Sequence, residues 1–220
     1  MMELVWGRNM SFKGWLGYAF MLFTFAFHSL PALAESQFAY EERNYETSDR
    51  IFHLGVVYGV SWGLYPIFQP EVMMGQKGSW KEYRENFGKT VFDQDEPFWN
   101  WIVHPISGSQ LYLFYRAMGY DRRDSFAMTF ISSTLFEYTI EIYSEPASYQ
   151  DLYQTPVLGA AFGYGIELLS TELLNRPSKL AQFFGRVINP LSYIVDRDTA
   201  SVAPLTDFRS THGLQLSLEF

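Results

Sequence analysis

The sequence of 220 residues contains no cysteine, which excludes a disulfide framework and leaves stability to burial and packing. It also excludes a lipobox cysteine, and with it lipid anchoring. Charged residues are scarce at 18%, against roughly 25% in ordinary soluble domains. Aromatic residues reach 19%, a balance that points to contact with lipid or a partner. An aromatic-rich soluble core is the other reading, since mean hydropathy is only −0.09 and apolar exposure is normal. Basic residues are outnumbered 16 to 24, for a net charge of −8, which argues against nucleic acid. The most informative absence is local. Between Arg123 and Arg176 there is no Lys or Arg, while Asp124, Glu137, Glu141, Glu145, Asp151, Glu167 and Glu172 all fall there. Something outside that stretch must compensate the charge.

The N-terminus reads as a secretory signal over 1–34. Arg8 and Lys13 precede an apolar run over 15–27, and Ala32-Leu33-Ala34 offers small residues for cleavage. Cleavage after Ala34 leaves a net charge of −9. An uncleaved anchor is the alternative, because 14–33 meets the roughly 20-residue spanning criterion. Either way the chain is expected to be exported, to the periplasm or the outer membrane of a Gram-negative envelope.

The expected fold is mainly α: four to five packed helices with a short C-terminal β element. A polar leader over 35–50 precedes a helical domain over 51–204, followed by a strand or hairpin over 205–220. Thr47 or Ser48 is the expected cap of the first helix. That helix carries Gly55, Gly59 and Gly63 on one four-residue row. Each interior Gly costs about 1 kcal/mol relative to Ala, so the row suggests close approach of another helix, within the fold or in an oligomer. The stretch 69–96 reads as a loop around a short helix at 80–87. A second helix starts near Pro97, breaks at His104-Pro105 because the residue before proline leaves the helical basin, and stops at Gly119. A third covers 123–143. Thr155 as cap and Pro156 at the first helical position start a fourth, to about Leu174. After Pro177, Leu180, Phe183, Phe184, Val187 and Ile188 form one face of a short amphipathic helix, which either covers a core or lies on a membrane surface. The alternation in 214–220 is the clear strand signal, pairing in a hairpin or with a partner.

A polar row at four-residue spacing, Ser125, Thr129, Ser133, Glu137, Glu141 and Glu145, runs through the otherwise apolar third helix. Carboxylates at this spacing are neighbours on a helix; in solvent they repel only slightly, and when buried one must hold a proton or bind a cation. A solvent-facing helix would mix Lys with its Glu, and this one has none. Three readings stay open. Glu137, Glu141, Glu145, Asp151 and Glu167 form an acidic interior held structurally by Thr, Tyr or Arg116. Alternatively Glu137, Glu141, Asp151 and His104 bind a divalent cation, carboxylates suiting Mg, Ca or Mn and His admitting Zn or Fe. Or Glu137, Glu141 and His104 act as general acid and base. No nucleophile elbow, phosphate loop, His-Glu-x-x-His or Glu-x-x-His motif occurs. Ser148 and Asp151 fit a capping box, which gives Asp151 a local duty as well. His53 and His212 have no spacing that implies chemistry.

The series His104-Pro105, Gly108, Tyr112, Arg116, Gly119, Ser133-Thr134, Glu137, Glu141, Glu145-Pro146, Ser148, Asp151, Thr155-Pro156, Gly159, Gly163 and Glu167 resembles an uncharacterised bacterial envelope family, domain-of-unknown-function family 3943, over 97–190. Its most specific part is the Glu-Pro-x-Ser-x-x-Asp stretch leading to Thr-Pro and Gly-x-x-x-Gly. The resemblance brings no established activity; many members continue into a long C-terminal region. The residues favour a non-enzymatic envelope protein with a structural or binding role and a membrane or envelope-protein partner. The alternative is a membrane-associated hydrolase or lipid-modifying enzyme using the same carboxylates.

Overall fold

Five helices of ten residues or more carry the described part of the chain, joined by short turns and one two-residue parallel strand pair. The fold is mainly α, as expected. The computed structural model describes residues 38–195, 200–207 and 211–218; residues 1–34, where a secretory signal is expected, lie outside them. The long helices are α1 (Thr47–Phe68), α3 (His104–Met118), α4 (Arg122–Thr139), α5 (Gly159–Leu174) and α6 (Lys179–Ile188), with a short α2 (Trp80–Asn86) between α1 and α3. Strands β1 (Thr90–Val91) and β2 (Ala147–Ser148) pair in parallel, and β3 (Ala200–Asp207) and β4 (Thr211–Leu218) form an antiparallel hairpin. The C-terminal strand thus finds its partner in the preceding residues.

Helix α1 starts one residue earlier than its Thr and Ser suggest. Glu46 is the cap, exchanging hydrogen bonds with Asp49 in a reciprocal box that satisfies two orphan N–H groups. Both prolines expected to break or start helices are instead absorbed inside them. Before Pro105, a wide π-type turn at Trp99–Val103 sends the His104 N–H to the Trp99 carbonyl five residues back. This reopens the ladder where a proline ring would meet the carbonyl four residues earlier. The same device at Gln154–Leu158 accommodates Pro156, so the helical path runs from Asp151 to Leu174 and Thr155 is no cap. The cap is Ser148, whose Oγ accepts from the N–H groups of Gln150 and Asp151 at 3.1 and 3.2 Å. Gly119 ends α3 as expected, at φ 99°.

Helix α4 stops at Thr139, short of the expected 143. The chain tightens into a 3₁₀ turn at Glu141–Tyr143, which buries Ile140 and Ile142 completely.

Helices α3 and α5 touch backbone to backbone. A Cβ built on Gly108 would lie 1.7 Å from the Thr155 carbonyl oxygen, and one on Gly159 would lie 2.5 Å from the Gly108 Cα. No larger residue fits this crossing. The row Gly55, Gly59 and Gly63 is different: a Cβ at any of them meets nothing within 4 Å among the described residues. Close approach therefore occurs at Gly108 and Gly159, and the α1 row faces no helix within the described fold.

The packing of α4 is inverted relative to a helix of a soluble bundle. On α4 the residues turned inward are Ser125, Met128, Thr129, Ser132, Ser133 and Glu137, while Phe126, Phe130 and Ile131 are exposed. The polar row from Ser125 to Glu137 is the inner face, and Glu141 and Glu145, expected on the same helix, lie past its end in and after the 3₁₀ turn.

Candidate functional site

The parallel pair of β1 and β2 fixes the site. Val91 pairs with Ser148, the Tyr149 N–H bonds the Val91 carbonyl at 2.9 Å, and this register brings Asp93 against the cap of the Asp151 helix. The Ser148 hydroxyl donates to Asp93. Asn100, buried in the wide turn before α3, donates to the same carboxylate at 2.9 Å, and Gln150 donates to it at 3.2 Å. The Ser148 N–H goes to Glu137 at 3.3 Å. In a complete capping box that N–H would engage the third residue of the helix, here Asp151. With the N–H given to Glu137, the Asp151 carboxylate turns toward His104, whose Nε2 lies 3.3 Å from its Oδ1. His104 Nδ1 is held by the Thr155 hydroxyl at 3.0 Å, so the two wide turns meet through their polar side chains.

The result is an open cleft of about 250 Å³, lined by Asp93, Asp95, Glu141, Glu145, Ser148 and Asp151 among others. Ligand atoms of His104, Glu137 and Asp151 lie within 4.8 Å of one another. Lys77, from the loop after α1, reaches the rim and pairs with Glu145 at 2.9 Å. Buried acids still outnumber that cation. Glu141 Oε2 and Asp151 Oδ1 are buried without a hydrogen-bond partner among the described residues, a costly state for a carboxylate oxygen.

Burial dictates the protonation. It lifts Asp151 to about 8, with the charges of Glu137 and Asp93 adding to the effect. It lifts Glu137 to about 7 despite hydrogen bonds from Glu141 and the Ser148 N–H. Glu141 is held well above the usual carboxylate range by burial and then by the charge of Glu137. Glu137 and Glu141 hydrogen-bond one another, which requires a proton between them. Asp95 is raised by burial and by Asp93. Asp93 goes the other way, since bonds from Ser148 and Asn100 outweigh its burial. Burial lowers His104, although Asp93 and Glu145 pull it up; with Asp151 raised, the pair is a neutral contact more than an ion pair. In the absence of a cation, protons fill the site.

The described chain brings Glu137, Glu141, Asp151 and His104 together, with Glu145 at the rim. Glu167 and Arg116 are elsewhere. Arg116 grips Glu167 in a fork at 3.0 and 3.1 Å, and Arg122 and Tyr112 complete the carboxylate's shell at 3.1 and 2.8 Å. Thr155 and Glu167 share a row on the helix but stand about 18 Å apart at 1.5 Å per residue, so the acidic interior divides into two loci. Asp93, Asn100 and Gln150 were missed in the sequence. The close pair Asp93 and Asp95 was the available signal; the pairing of Asp93 with Ser148 depends on a strand of two residues.

The donor set fits a divalent cation. Three mutually close ligand atoms approach the about 4 Å span of atoms bound around one ion with 2.0–2.2 Å bonds. A neutral imidazole with carboxylates suits Zn, Mn or Fe, and Thr155 on Nδ1 leaves Nε2 available, as second-shell partners of metal-bound histidines do.

Comparison with curated proteins and with solved structures finds no match. Residues 89–191 match the family model described as domain of unknown function (DUF3943). Every acid of the cleft, together with His104, falls inside that stretch, so the site and the match coincide, and the matching model is that of the family which the Glu-Pro-x-Ser-x-x-Asp stretch resembles.

Proposed function

We propose that this is an exported, envelope-associated helical protein whose acidic cleft binds a divalent transition-metal cation through His104, Glu137 and Asp151, with Glu141 beside them. The observation that carries the reading is that Glu141 Oε2 and Asp151 Oδ1 are buried without a hydrogen bond, Asp151 Oδ1 having only the His104 imidazole 3.3 Å away, in a cluster with no buried Lys or Arg beside it among the described residues. A bound cation would compensate both and release the protons that otherwise fill the site. The role is binding: the cation ties the start of α3, the end of α4 and the Asp151 helix together at one point. Export rests on the N-terminal sequence, 1–34, and its expected partners are the membrane and its proteins.

A catalytic reading is favoured by one observation, the His104 imidazole clamped by Thr155 at Nδ1 with its Nε2 turned to Asp151, a residue of the cleft lining. In that reading the same cation activates water for a hydrolase or lipid-modifying enzyme.

The test is metal content and titration on the full chain extracted from membranes. One Mn²⁺ or Zn²⁺ per chain is expected, with affinity at least about tenfold weaker in Glu137→Gln, Asp151→Asn and His104→Ala, all retaining helical circular dichroism. A wild type that takes up neither ion, or variants that bind as tightly as wild type, would refute the cation.

A further inference from the structure

The lateral surface of the helices has a property that the cleft does not explain. Four helical stretches, 51–68 in α1, 105–115 in α3, 125–136 in α4 and 152–166 leading into α5, contain no Asp, Glu, Lys or Arg. At 1.5 Å per residue they measure about 27, 16, 18 and 22 Å. Their outward residues are large and apolar: Val60 is 53% exposed, Ile106 51%, Phe130 42% and Phe162 63%. Their inward residues include Ser109, Ser125, Thr129, Ser132 and Ser133, all buried. Water-soluble packing sorts residues the opposite way, and exposed apolar area on this scale marks a contact surface.

Charge returns at both ends of the band. At one end are His104, Glu137, Glu141 and Asp151, and the C-terminal part of α1 is fastened there by Tyr65 to Ser144, with Lys77 of the following loop paired to Glu145. At the other end, Arg50 pairs with Asp124, and Arg116 and Arg122 pair with Glu167. Exposed aromatics crowd the cleft end: Phe92 beside Asp93, Trp99 and Trp101 on either side of Asn100, Tyr149 beside Ser148, and Tyr153 two residues past Asp151. Phe92 and Tyr149 stack at 5.1 Å. Rings with an apolar body, many with a polar edge, are the side chains that settle at the boundary between acyl chains and headgroups.

We infer that the charge-free band on α1, α3, α4 and α5 is covered by lipid acyl chains, and that the cation cleft opens at one edge of it, at headgroup level. A second copy of the chain is the competing occupant. Lipid is favoured because the bare surface occurs on α1, on α4 and on the path into α5, with Ile106 added by the otherwise largely buried α3, and because two of the helical paths, Thr47–Phe68 and Asp151–Leu174, are long and apolar enough to cross a membrane. The inference deepens the envelope-associated reading by naming the surface, and it is independent of whether the cleft binds metal.

The absence of cysteine makes the test clean, since one introduced thiol is the only thiol. The full chain, carrying one nitroxide at Val60→Cys, Phe130→Cys or Phe162→Cys, is reconstituted in phosphatidylcholine vesicles. Its collision rates with oxygen and with a neutral nickel chelate are compared with those of labels at Phe92→Cys, Arg123→Cys and Glu172→Cys. Oxygen is expected to exceed nickel severalfold at the three band positions, with the order reversed at the three end positions. Nickel access at the band positions would overturn the inference, as would exclusion of both reagents there, which would mean that protein covers the band. Where a labelled variant loses its helical signal, Val56, Ile131 and Tyr164 replace it. Glu137→Gln in the same background should leave all the ratios unchanged, which separates this result from failure of the cation reading.

Discussion

Replacing Gly108 by Ala adds one methyl group at the tightest point of the fold. The new Cβ would lie 1.7 Å from the Thr155 carbonyl oxygen, 2.7 Å from its carbon and 3.0 Å from the Gly159 Cα, where ordinary contact begins at 3.4 Å. Every one of these neighbours is backbone, so no side-chain rotation relieves the overlap. The two helices must separate by about 1.7 Å at this point, the difference between 3.4 and 1.7 Å. A gap of 0.5–1 Å already forfeits about a quarter to a half of a dispersion contact. Alanine returns about 1 kcal/mol of helix propensity, which the lost packing outweighs; overpacking costs of about 3 kcal/mol net are expected here. For a chain of this size that corresponds to a fall in Tm of about 6–12 °C, read by circular dichroism in one detergent. The same shift pulls Thr155 from His104, so cation affinity should fall in parallel. Gly165→Ala is the internal control: it lies on α5, the other helix of the crossing, meets nothing within 4 Å, and should hold or raise Tm. If Gly108→Ala melts at or above the wild-type temperature, the backbone contact between α3 and α5 does not exist as described.

Other outcomes follow from the same physics. Gly55→Ala, Gly59→Ala and Gly63→Ala should each raise stability by up to about 1 kcal/mol, because each position is open among the described residues; loss of stability or of an oligomer on gel filtration would instead show that another helix docks on this row. Without divalent cation, stability should fall as pH rises from 5 to 9. Glu137 and Asp151 titrate at about 7 and about 8 in the fold, against 4.5 and 3.8 ordinarily. The folded chain therefore binds more protons than the unfolded one between those limits, and the pH derivative of stability is negative; a melt series with stability rising across that range would refute the assignment. Glu167→Gln should cost about 3–5 kcal/mol, since it leaves the buried Arg116 guanidinium without its forked partner, and denaturant unfolding would measure it.

Helix number and helical class were legible because the apolar stretches are long and the stop signals strong, Gly119 above all. Proline and cap signals were read one step wrong. Rules that end a helix at the residue before proline assume an i→i−4 ladder, and at Pro105 and Pro156 the ladder widens instead. The same widening places His104 against Thr155, so the feature that defeated the boundary prediction also builds the site. Asp93 was invisible for a related reason: its role depends on the register of a two-residue strand pair, which no periodicity can announce.

The acidic row was legible for a reason that extends to the whole molecule. Lysine was missing beside Glu137 and Glu141, which excluded a solvated face, and the inward position of Ser125, Thr129, Ser133 and Glu137 agrees. The same logic applied to the outer face would have found the rest. A helix with Ser and Thr on its inner row must put Phe126, Phe130 and Ile131 somewhere, and in water that face would need a partner. One row of spacing therefore poses two questions, what neutralises the inner carboxylates and what wets the outer aromatics. The proposed cation would answer the first and the proposed acyl chains the second. The answers are linked by position, because Glu137 sits where α4 leaves its charge-free stretch. A carboxylate cluster placed at that boundary meets ions from the aqueous side while its supporting helices stay in lipid. The Phe92 label reads this boundary directly: it should collide with nickel while Phe130, on the helix that carries Glu137, does not.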